Sequence, residues 1–376
     1  MTDYCVTQSL YEQKKTNMKK KVAVIIFNLG GPDSLKAVRP FLFNLFNDKY
    51  IIGLPQPFRY ILAKIISTSR SKKSKAIYAK MGGKSTILSE TIDQAKALEI
   101  YLNSHCTSDE NIQYTVIPMM RYWHPMIEEV MKQVSNKYND VVLLPLYPQF
   151  STTTTLSSIT QWFKKAAHVK NLRLVCCYYN HPGFIDAYTA LINEKLEEIP
   201  TNKTIRLLFS AHGIPEIFIE KGDPYQLQIE ETVKAVMDKI GKRERLEHTI
   251  CYQSKVGPMK WLEPTIQSQI EEAGEKNEVV VVIPISFTSE HSETLVELDI
   301  DYANLATESG IEFHRVSTLR THAIFIQMLA ALTIHSLGKK NADLGPYGEP
   351  FTMNCKGKMC YKKLGFPSAA HASTIS

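Results

Sequence analysis

The stretch VVVVIPISFTSEHSETLVELDIDY, residues 279–302, carries the clearest structural pattern of this 376-residue chain. Residues 279–285 form a β-branched apolar run that is too continuous for a half-exposed strand, so they indicate a buried strand of a parallel sheet. Residues 286–289 form the turn, and Ser289 is the expected N-cap of the helix that follows. Ligands of parallel α/β sheets bind outside the carboxyl ends of the strands, which is where this turn falls.

Acidic residues follow the turn at spacings of three and four, which places them on one helical face. They are Glu290, Glu293, Glu297 and Asp301, with His291 beside them in the first turn. Acidic residues in a first turn also occur simply because they complement the helix dipole. The sequence shows no neighbouring Lys or Arg that would relieve the repulsion between these like charges. A cation-handling site and a solvated acidic face both remain open at this point.

Apolar runs of strand length recur along the whole chain and alternate with helix-sized segments. They occur at residues 21–29, 114–120, 140–147, 172–179, 205–211, 248–253 and 279–287. This alternation is typical of βαβ units with right-handed parallel crossovers. Two such series predict an α/β protein of two doubly wound, Rossmann-like domains, each a parallel β-sheet flanked by helices, with the active-site cleft between them. The predicted divisions are an N-terminal domain at 18–165, a C-terminal domain at 166–320, an amphipathic helix at 321–337 and a polar tail at 338–376.

Composition narrows the function and the location of the protein. The net charge is +6, but Lys and Arg are scattered apart from residues 70–75, so no nucleic-acid partner is predicted. No apolar run approaches the roughly 20 residues needed to span a bilayer. The seven cysteines include no CxxC pair, which favours a reducing compartment and a cytoplasmic location. Residues 1–17 lack an apolar core, so we expect a disordered tail or a start-site artefact rather than a targeting signal.

His212 stands at the end of another buried strand, in LLFSAHGIP at residues 207–215. Gly213 and Pro215 break the strand directly after it, so the imidazole is presented at the strand's carboxyl end. An isolated histidine there would be read as a loop residue with satisfied hydrogen bonds, but the acidic helix of the same domain favours a catalytic role. Trp261 follows a further strand end, where an indole can stack on a flat ligand.

Two features lie between the first two strands. Residues 50–66 are rich in aromatic residues and isoleucine, which fits an amphipathic lid or partner surface as well as ordinary core packing. Residues 70–75 carry Arg70 and Lys73 and precede a Gly-Gly-Lys-Ser turn that ends at Ser85. Backbone N–H groups and a hydroxyl suit anionic ligands, although a solvated surface is the simpler explanation of the basic residues taken alone.

Together these motifs resemble the ferrochelatase family, whose members insert ferrous iron into protoporphyrin IX. The resemblance runs from about residue 20 to residue 335 in the family's order. The matching motifs are NLGGP at 28–32, the turn from Tyr78 to Ser85, MRYWHP at 120–125, LYPQFS at 146–151, FSAHGIP at 209–215, KGDPY at 221–225, QSKVGPMKW at 253–261 and FTSEHSETLVELDIDY at 287–302. It implies a lyase that forms protohaem with release of two protons, the terminal step of haem biosynthesis.

The resemblance also implies roles for individual residues. His212 would take pyrrole protons or bind the metal, and Glu293 would be its metal or proton partner, because imidazole and carboxylate suit both tasks. The other acidic-helix residues would form a path for metal entry or proton exit: Glu290, His291, Glu297 and Asp301. Porphyrin contacts would come from Leu29, Arg70, Lys73, Tyr78, Ser85, Arg121, Tyr122, Trp261 and Phe287. Of these, Arg70, Lys73 and Ser85 would hold the propionates, and residues 50–66 would form a pocket lip that contacts membrane peripherally.

One departure from the family concerns the [2Fe–2S] cluster that some members bind through four cysteines. Thr152 stands at the first ligand position and Thr352 at the second, which leaves only Cys355 and Cys360. Two thiolates cannot supply the four ligands that such a cluster normally needs. We therefore expect ferrous iron as a substrate and no cluster.

Two rival functions remain at the level of sequence. The first is a chelatase for a sirohydrochlorin-type ring, which carries more carboxylates and should demand more basic residues. The second is a protein that binds metal or haem without turnover, in which His212 and Glu293 would be storage ligands.

Overall fold

The computed structural model describes residues 19–106, 112–134, 136–166, 169, 171–199, 202–338 and 347. Within these ranges eight strands form two four-stranded sheets, ordered β2-β1-β3-β4 and β6-β5-β7-β8. All pairings are parallel. The strands are β1 (Lys20–Asn28), β2 (Ile112–Met120), β3 (Asp140–Pro145), β4 (Leu172–Leu174), β5 (Ile205–His212), β6 (Leu246–Gln253), β7 (Val279–Pro284) and β8 (Phe313–Arg315). The predicted fold class is confirmed.

Helices connect the strands and cover both sheets. The α-helices are α1 (Val38–Phe46), α2 (Phe58–Lys80), α3 (Ile87–His105), α4 (Ile127–Val134), α5 (Ser157–Lys165), α6 (Pro182–Glu197), α7 (Glu216–Glu220), α8 (Tyr225–Ile240), α9 (Ile266–Glu275), α10 (Ala303–Glu308) and α11 (Ala323–Ser336). Two π-helices, π1 (Thr152–Leu156) and π2 (Glu293–Tyr302), lead into α5 and α10. The described helices do not include one that is both long enough and apolar enough to cross a membrane.

The central strands carry the hydrophobic core. Residues 22–28 of β1 and every residue of β3 and β7 are buried, as expected for strands that are covered by helices on both faces. Of the four edge strands, β4 and β8 have only three residues each, whereas β2 and β6 have nine and eight. Continuous Val, Ile and Leu runs therefore form the central strands of each sheet. A ligand site is expected at the carboxyl ends of these strands.

The strand β4 corrects one expectation. Leu172–Leu174 pairs with β3, with Leu172 opposite Val141, so it is the fourth strand of the first sheet. The expectation that residues 172–179 open the second series is wrong, because the apolar pattern of a strand does not reveal which partner it will pair with. A division at residue 165 would separate β4 from its sheet, and we propose that the first domain extends at least to Leu174.

The helix α11 corrects a second expectation. It was predicted to be amphipathic, but ten of its fourteen residues are buried, and it packs against α3 and α6. Burial on nearly all sides follows from its composition, since AIFIQMLAALTIHS carries apolar residues around the whole helix. Residues 1–17, and all but Gly338 and Tyr347 of the predicted tail, lie outside the described residues. Tyr347 is buried and donates a hydrogen bond to Asp186 Oδ2 at 2.7 Å.

Candidate active site

The parallel pairing of β5 with β7 brings the two predicted catalytic residues together. His212 is the last residue of β5, and Glu293 is the first residue of π2, which follows the turn after β7. The Nδ1 atom of His212 lies 2.9 Å from Oε2 of Glu293. Their side chains are 39% and 24% exposed, so the pair faces an opening rather than the closed core. The backbone of His212 is fixed on both sides, by Ser286 Oγ at its N–H and by the Tyr225 hydroxyl at its carbonyl.

The electrostatics of the pair keep Glu293 ionised and hold the proton on His212. Burial lowers the pKa of His212, but the adjacent Glu293 carboxylate and the more distant Glu297 more than offset this effect, so the pKa lies above its ordinary value. Burial raises the pKa of Glu293, yet His212 and His291 outweigh burial and hold this pKa well below its usual range. Glu293 is therefore a permanent anion, and His212 is a base of increased strength.

His291 is a second histidine beside the same carboxylate. Its Nδ1 donates to the Ser289 carbonyl at 3.0 Å, which leaves Nε2 directed at Glu293 Oε2 at 3.7 Å. The Phe287 ring meets its imidazole edge to face at a centroid distance of 4.8 Å. Burial lowers the pKa of His291, and the Glu293 carboxylate more than offsets that effect, so the net shift is upward.

Glu297 continues the site away from His212. It accepts hydrogen bonds from the Ser254 N–H at 2.9 Å, from Ser254 Oγ at 2.5 Å and from Gln253 Nε2 at 3.2 Å. Burial, and then the negative charge of Glu293, raise the pKa of Glu297, while the hydrogen bonds oppose this. The pKa of Glu297 therefore lies above that of an ordinary glutamate.

Gln253 and Ser254 belong to the QSKVGPMKW motif and hold Glu297 in the structure. Gln253 is buried at the end of β6, where its amide donates to the Glu293 carbonyl at 2.8 Å and accepts from Ser210 Oγ at 2.7 Å. It thus ties β5, β6 and π2 together. The signal that could have found both residues is their position at the carboxyl end of β6, next to the strand that carries His212.

The helix after β7 begins later than predicted. π2 starts at Glu293, so Glu290 and His291 precede the helix instead of sharing its first turn. Ser289 is not its N-cap, because the hydroxyl donates to Gln94 Oε1 of α3 at 3.1 Å. The polar groups of the turn are used in contacts with the first domain, which sequence cannot reveal. π-Helices are rare and are frequent at functional sites.

Only part of the acidic series faces the His212 pair. Glu290 is buried and accepts from Arg315 Nη1 at 3.0 Å and from the Thr318 N–H at 2.9 Å. Burial raises the pKa of Glu290, but Arg315 and the hydrogen bonds outweigh burial and lower it. Asp301 is 53% exposed and pairs with Lys80 Nζ of α2 at 3.0 Å. The stretch itself contains no Lys or Arg, and the cations that pair with Glu290 and Asp301 come from other parts of the chain.

Three of the predicted porphyrin contacts lie in one apolar cluster beside α1. Tyr78 and Tyr122 are buried in this cluster and Leu29 packs against it. Burial raises the pKa of Tyr78 to about 12, with an opposing effect from Ser292 and a further increase from Glu293. The apolar cluster of the first domain therefore reaches the acidic helix of the second.

Trp261 packs against the loop that follows His212. It is buried and makes an isolated bridge with Pro215, in the loop after β5. A Cβ on Gly213 would lie 3.2 Å from the indole, so the glycine permits this close approach. The indole is therefore held against the loop that presents the imidazole.

Arg121 and Tyr122 converge on a residue that the sequence analysis did not single out. Arg121 Nη2 and the Tyr122 hydroxyl both donate to Asp48 Oδ2 at 2.7 Å, and Arg121 Nε donates to Ser157 Oγ at the same distance. A cavity of about 250 Å³ adjoins Asp48 and Arg121. The guanidinium is thus already paired.

The residues predicted to hold propionates are spread over α2 and the turn after it. Arg70 is half-buried and Lys73 is exposed, and neither has an ion-pair partner within the described residues. The Ser85 N–H donates to the Pro32 carbonyl at 2.8 Å, in the loop after β1. A Cβ on Gly31 would lie 2.4 Å from Ser85 Oγ, so only glycine allows this approach.

Thr152 is buried at the start of π1. Its N–H and its hydroxyl donate to Asp223 Oδ2 at 2.7 and 2.6 Å. Thr352, Cys355 and Cys360 lie outside the described residues.

A histidine that is hydrogen-bonded to an ionised carboxylate, at the carboxyl ends of parallel strands and next to a buried indole, defines an α/β enzyme of the metal-chelatase class. The family model described as Ferrochelatase matches residues 21–337, and the chain belongs to this family. The prediction of a ferrochelatase of the lyase class that acts in haem biosynthesis is confirmed.

Curated relatives agree over most of the chain. A ferrochelatase of Rickettsia bellii (strain OSU 85-389) is 49% identical over 327 residues, which cover 86% of this chain and 90% of that protein. A ferrochelatase of Wolbachia pipientis wMel is 48% identical over 319 residues, covering 84% and 99%.

Among solved structures, CbiX, described as the terminal enzyme of sirohaem biosynthesis in denitrifying bacteria, has 12% identity and a TM-score of 0.44. It covers 83% of this chain and 96% of its own. SirB from Bacillus subtilis with Fe³⁺ has 9% identity and a TM-score of 0.48, with coverage of 83% and 93%.

Proposed function

We propose that His212 and Glu293 form the catalytic pair for insertion of Fe(II) into protoporphyrin IX. The observation that carries this proposal is the 2.9 Å contact between His212 Nδ1 and Glu293 Oε2 at the carboxyl end of β5. Ferrous iron and the porphyrin are the two substrates, and each metal inserted must displace two pyrrole protons. Neither rival function is better supported by the family membership.

The pair suits both halves of the reaction. With its proton on Nδ1, neutral His212 donates to Glu293, and Nε2 is left as the acceptor for a pyrrole proton. Glu293 stabilises the imidazolium that results. Glu297, whose pKa is raised by burial, would accept the proton that the imidazolium releases. His291, Glu297 and Glu293 are also the groups that can pass a divalent iron toward the ring, since imidazole and carboxylate both bind it.

The porphyrin would lie between the apolar cluster of the first domain and the His212 loop of the second. Leu29 and Tyr78 would contact one side, and Trp261 and Phe287 the other. Arg70, Lys73 and Ser85 would hold the propionates, because Arg70 and Lys73 lack ion-pair partners among the described residues. Arg121 and Tyr122 would form the inner wall, braced by Asp48.

Glu290 and Asp301 fit the metal path less well than predicted. Arg315 forms an ion pair with Glu290, and Lys80 forms an ion pair with Asp301. We propose that Asp301 lies at the outer end of the metal path and that Glu290 stabilises the structure of the path without binding the metal.

The test is anaerobic insertion of Fe(II) or Zn(II) into protoporphyrin, followed by loss of porphyrin fluorescence. We expect His212→Ala and Glu293→Gln to lose most turnover while still binding porphyrin. His314→Ala is a matched control, because His314 Nε2 contacts Glu312 Oε1 at 2.6 Å outside the site. Porphyrin binding without metallation by the unaltered chain would leave only the binding-protein alternative, and turnover of a sirohydrochlorin-type ring alone would favour the other rival.

We further propose that the protein holds no [2Fe–2S] cluster. Thr152 supplies no thiolate, and its hydroxyl and N–H are both committed to Asp223. Iron and acid-labile sulfide analysis of anaerobically purified protein, with its visible spectrum, tests this. Stoichiometric iron and sulfide with a cluster absorption would contradict it.

We also propose that the protein is cytoplasmic and contacts membrane peripherally through residues 50–66. Phe58, Ile61 and Ile65 are 63%, 53% and 59% exposed, and their spacing places them on one face of α2. Flotation with anionic vesicles would decrease for Ile61→Glu and Ile65→Glu. Ile100→Glu on α3 is the matched control, since Ile100 is 67% exposed. Equal flotation of all variants would sink the proposal.

A further inference from the structure

Arg315, the last residue of the edge strand β8, belongs neither to the proposed catalytic pair nor to the proposed porphyrin contacts. Its side chain is 13% exposed and meets two carboxylates. Nη1 donates to Glu290 Oε1 at 3.0 Å, Nη2 donates to Asp299 Oδ2 at 2.8 Å, and Nε donates to Asp299 Oδ1. The guanidinium therefore bridges two acidic residues through separate edges of its planar fork.

The two carboxylates lie on either side of Glu293 in the sequence. Glu290 belongs to the turn before π2, and Asp299 lies within π2. The turn is held elsewhere as well: Glu290 Oε1 accepts from the Thr318 N–H, and the Glu290 carbonyl accepts from Thr86 Oγ1 at 2.6 Å. Arg315 thus joins the turn to the helix that it precedes, and Glu293 lies between the two attachment points.

The bridge cannot be replaced easily. Glu290 is 9% exposed at its side chain, so loss of the guanidinium would leave a buried carboxylate with its main counter-charge removed. A lysine has one compact charge and lacks the planar fork, so it cannot serve both carboxylates with the same geometry.

We propose that Arg315 is a positioning residue for metal insertion. By holding Glu290 and Asp299 at fixed separation it sets the start of π2, and so keeps Glu293 Oε2 within reach of both His212 and His291. This inference rests on the proposed pairing of His212 with Glu293. Arg315 itself touches neither substrate; it acts through the helix that carries the carboxylate.

The test compares Arg315→Met, Arg315→Lys and Asp299→Asn in anaerobic Zn(II) insertion, at a temperature where each variant is folded by circular dichroism. We expect kcat to fall about 10- to 100-fold in Arg315→Met, the range seen when groups that orient metal-site ligands are lost. The KM for porphyrin should change little, because the porphyrin contacts are elsewhere. Arg315→Lys should recover only part of kcat, and the Asp299→Asn effect should largely disappear in the Arg315→Met background.

Arg206→Met is the matched control. Arg206 is a buried arginine at the opposite end of β5, and it too bridges two carboxylates, Glu278 at 2.5 Å and Glu272 at 3.1 Å. Its loss should lower stability but leave kcat of the folded protein near that of the unaltered chain. An unchanged kcat in Arg315→Met, or an equal loss in Arg206→Met, would overturn the proposal. Full turnover by His212→Ala and Glu293→Gln would instead overturn the proposed pair.

Discussion

The contact between His212 Nδ1 and Glu293 Oε2 joins residues that are 81 positions apart in the chain. Each residue is unremarkable in isolation, since loop histidines and first-turn glutamates are common. Their meaning comes from the pairing of β5 with β7, which places the end of one strand beside the turn after the other. The pair then changes the chemistry of both groups, making a stronger base of His212 and a permanent anion of Glu293.

The pH dependence of metal insertion should report this coupling. The proposed role of His212 as acceptor of the pyrrole proton requires its neutral form, and Glu293 raises the pKa of His212 above the ordinary value of about 6.5. The rate should therefore increase as pH rises through that raised pKa. In Glu293→Gln the charge is lost and burial dominates, so the acid limb should move to lower pH while the plateau drops.

The measurement is kcat/KM for Zn(II) insertion across about pH 5.5 to 8.5, a range that brackets an ordinary histidine. His314→Ala should keep the position of the limb. A Glu293→Gln limb that coincides with that of the unaltered chain would contradict the coupling.

Two elements differ from the helices that the sequence predicts. π2 begins four residues later than Ser289 because the turn before it bonds to α3, and α11 is buried on nearly every side. In both cases the decisive contacts come from another element. The stability of a protein with a helix that is apolar around its whole circumference should fall when any buried side chain of that helix is shortened.

Leu329 of α11 is fully buried, so Leu329→Ala should lower the free energy of unfolding by about 2–5 kcal/mol, the cost of a cavity in a packed core. Urea denaturation followed by circular dichroism measures this. Ile100→Ala on α3, where the side chain is 67% exposed, should change it by less than about 0.5 kcal/mol. Similar small effects at both positions would show that α11 is not part of the core.

The turn after β7 is the point where hydrogen bonds join the two domains. Gln94 of α3 is fully buried; its Nε2 donates to the carbonyls of Thr288 and Arg320 at 2.8 and 3.1 Å, and its Oε1 accepts from Ser289. Thr288 Oγ1 donates in turn to the Leu146 carbonyl at 2.9 Å, at the end of β3. The first domain thus supports the turn that leads into the acidic helix of the second.

Replacement of Gln94 by leucine should weaken both stability and activity. Gln94→Leu leaves two buried carbonyls and a hydroxyl without their partner, which costs about 1–3 kcal/mol per buried group. The free energy of unfolding and kcat for Zn(II) insertion should both fall. Gln267→Leu is the control, because Gln267 is exposed and bonds only along its own helix to Glu271. A stable Gln94→Leu protein with full kcat would refute this role.

Local sequence patterns were sufficient to predict most strands and the positions of the site residues along the chain. The apolar runs predict seven of the eight strands, six of them with shifts of at most three residues at their ends. The run at 172–179 is a strand only at 172–174 and was assigned to the wrong sheet, and β8, three residues long, was not predicted. The same reading places His212 and the acidic helix at strand ends, because a strand's period and its breaking residues are properties of neighbours in the chain.

Tertiary structure alone decided which groups meet. In the folded chain, Arg315 pairs with Glu290 and Lys80 pairs with Asp301. Gln253 donates to the backbone carbonyl of Glu293, and β4 pairs within the first sheet. These contacts join residues that are far apart in the chain, and neither composition nor periodicity encodes such a distance. Sequence therefore determined where the polar and charged residues of the site lie along the chain, whereas strand pairing and buried charge determined which side chains bond to one another and which are held by a cation.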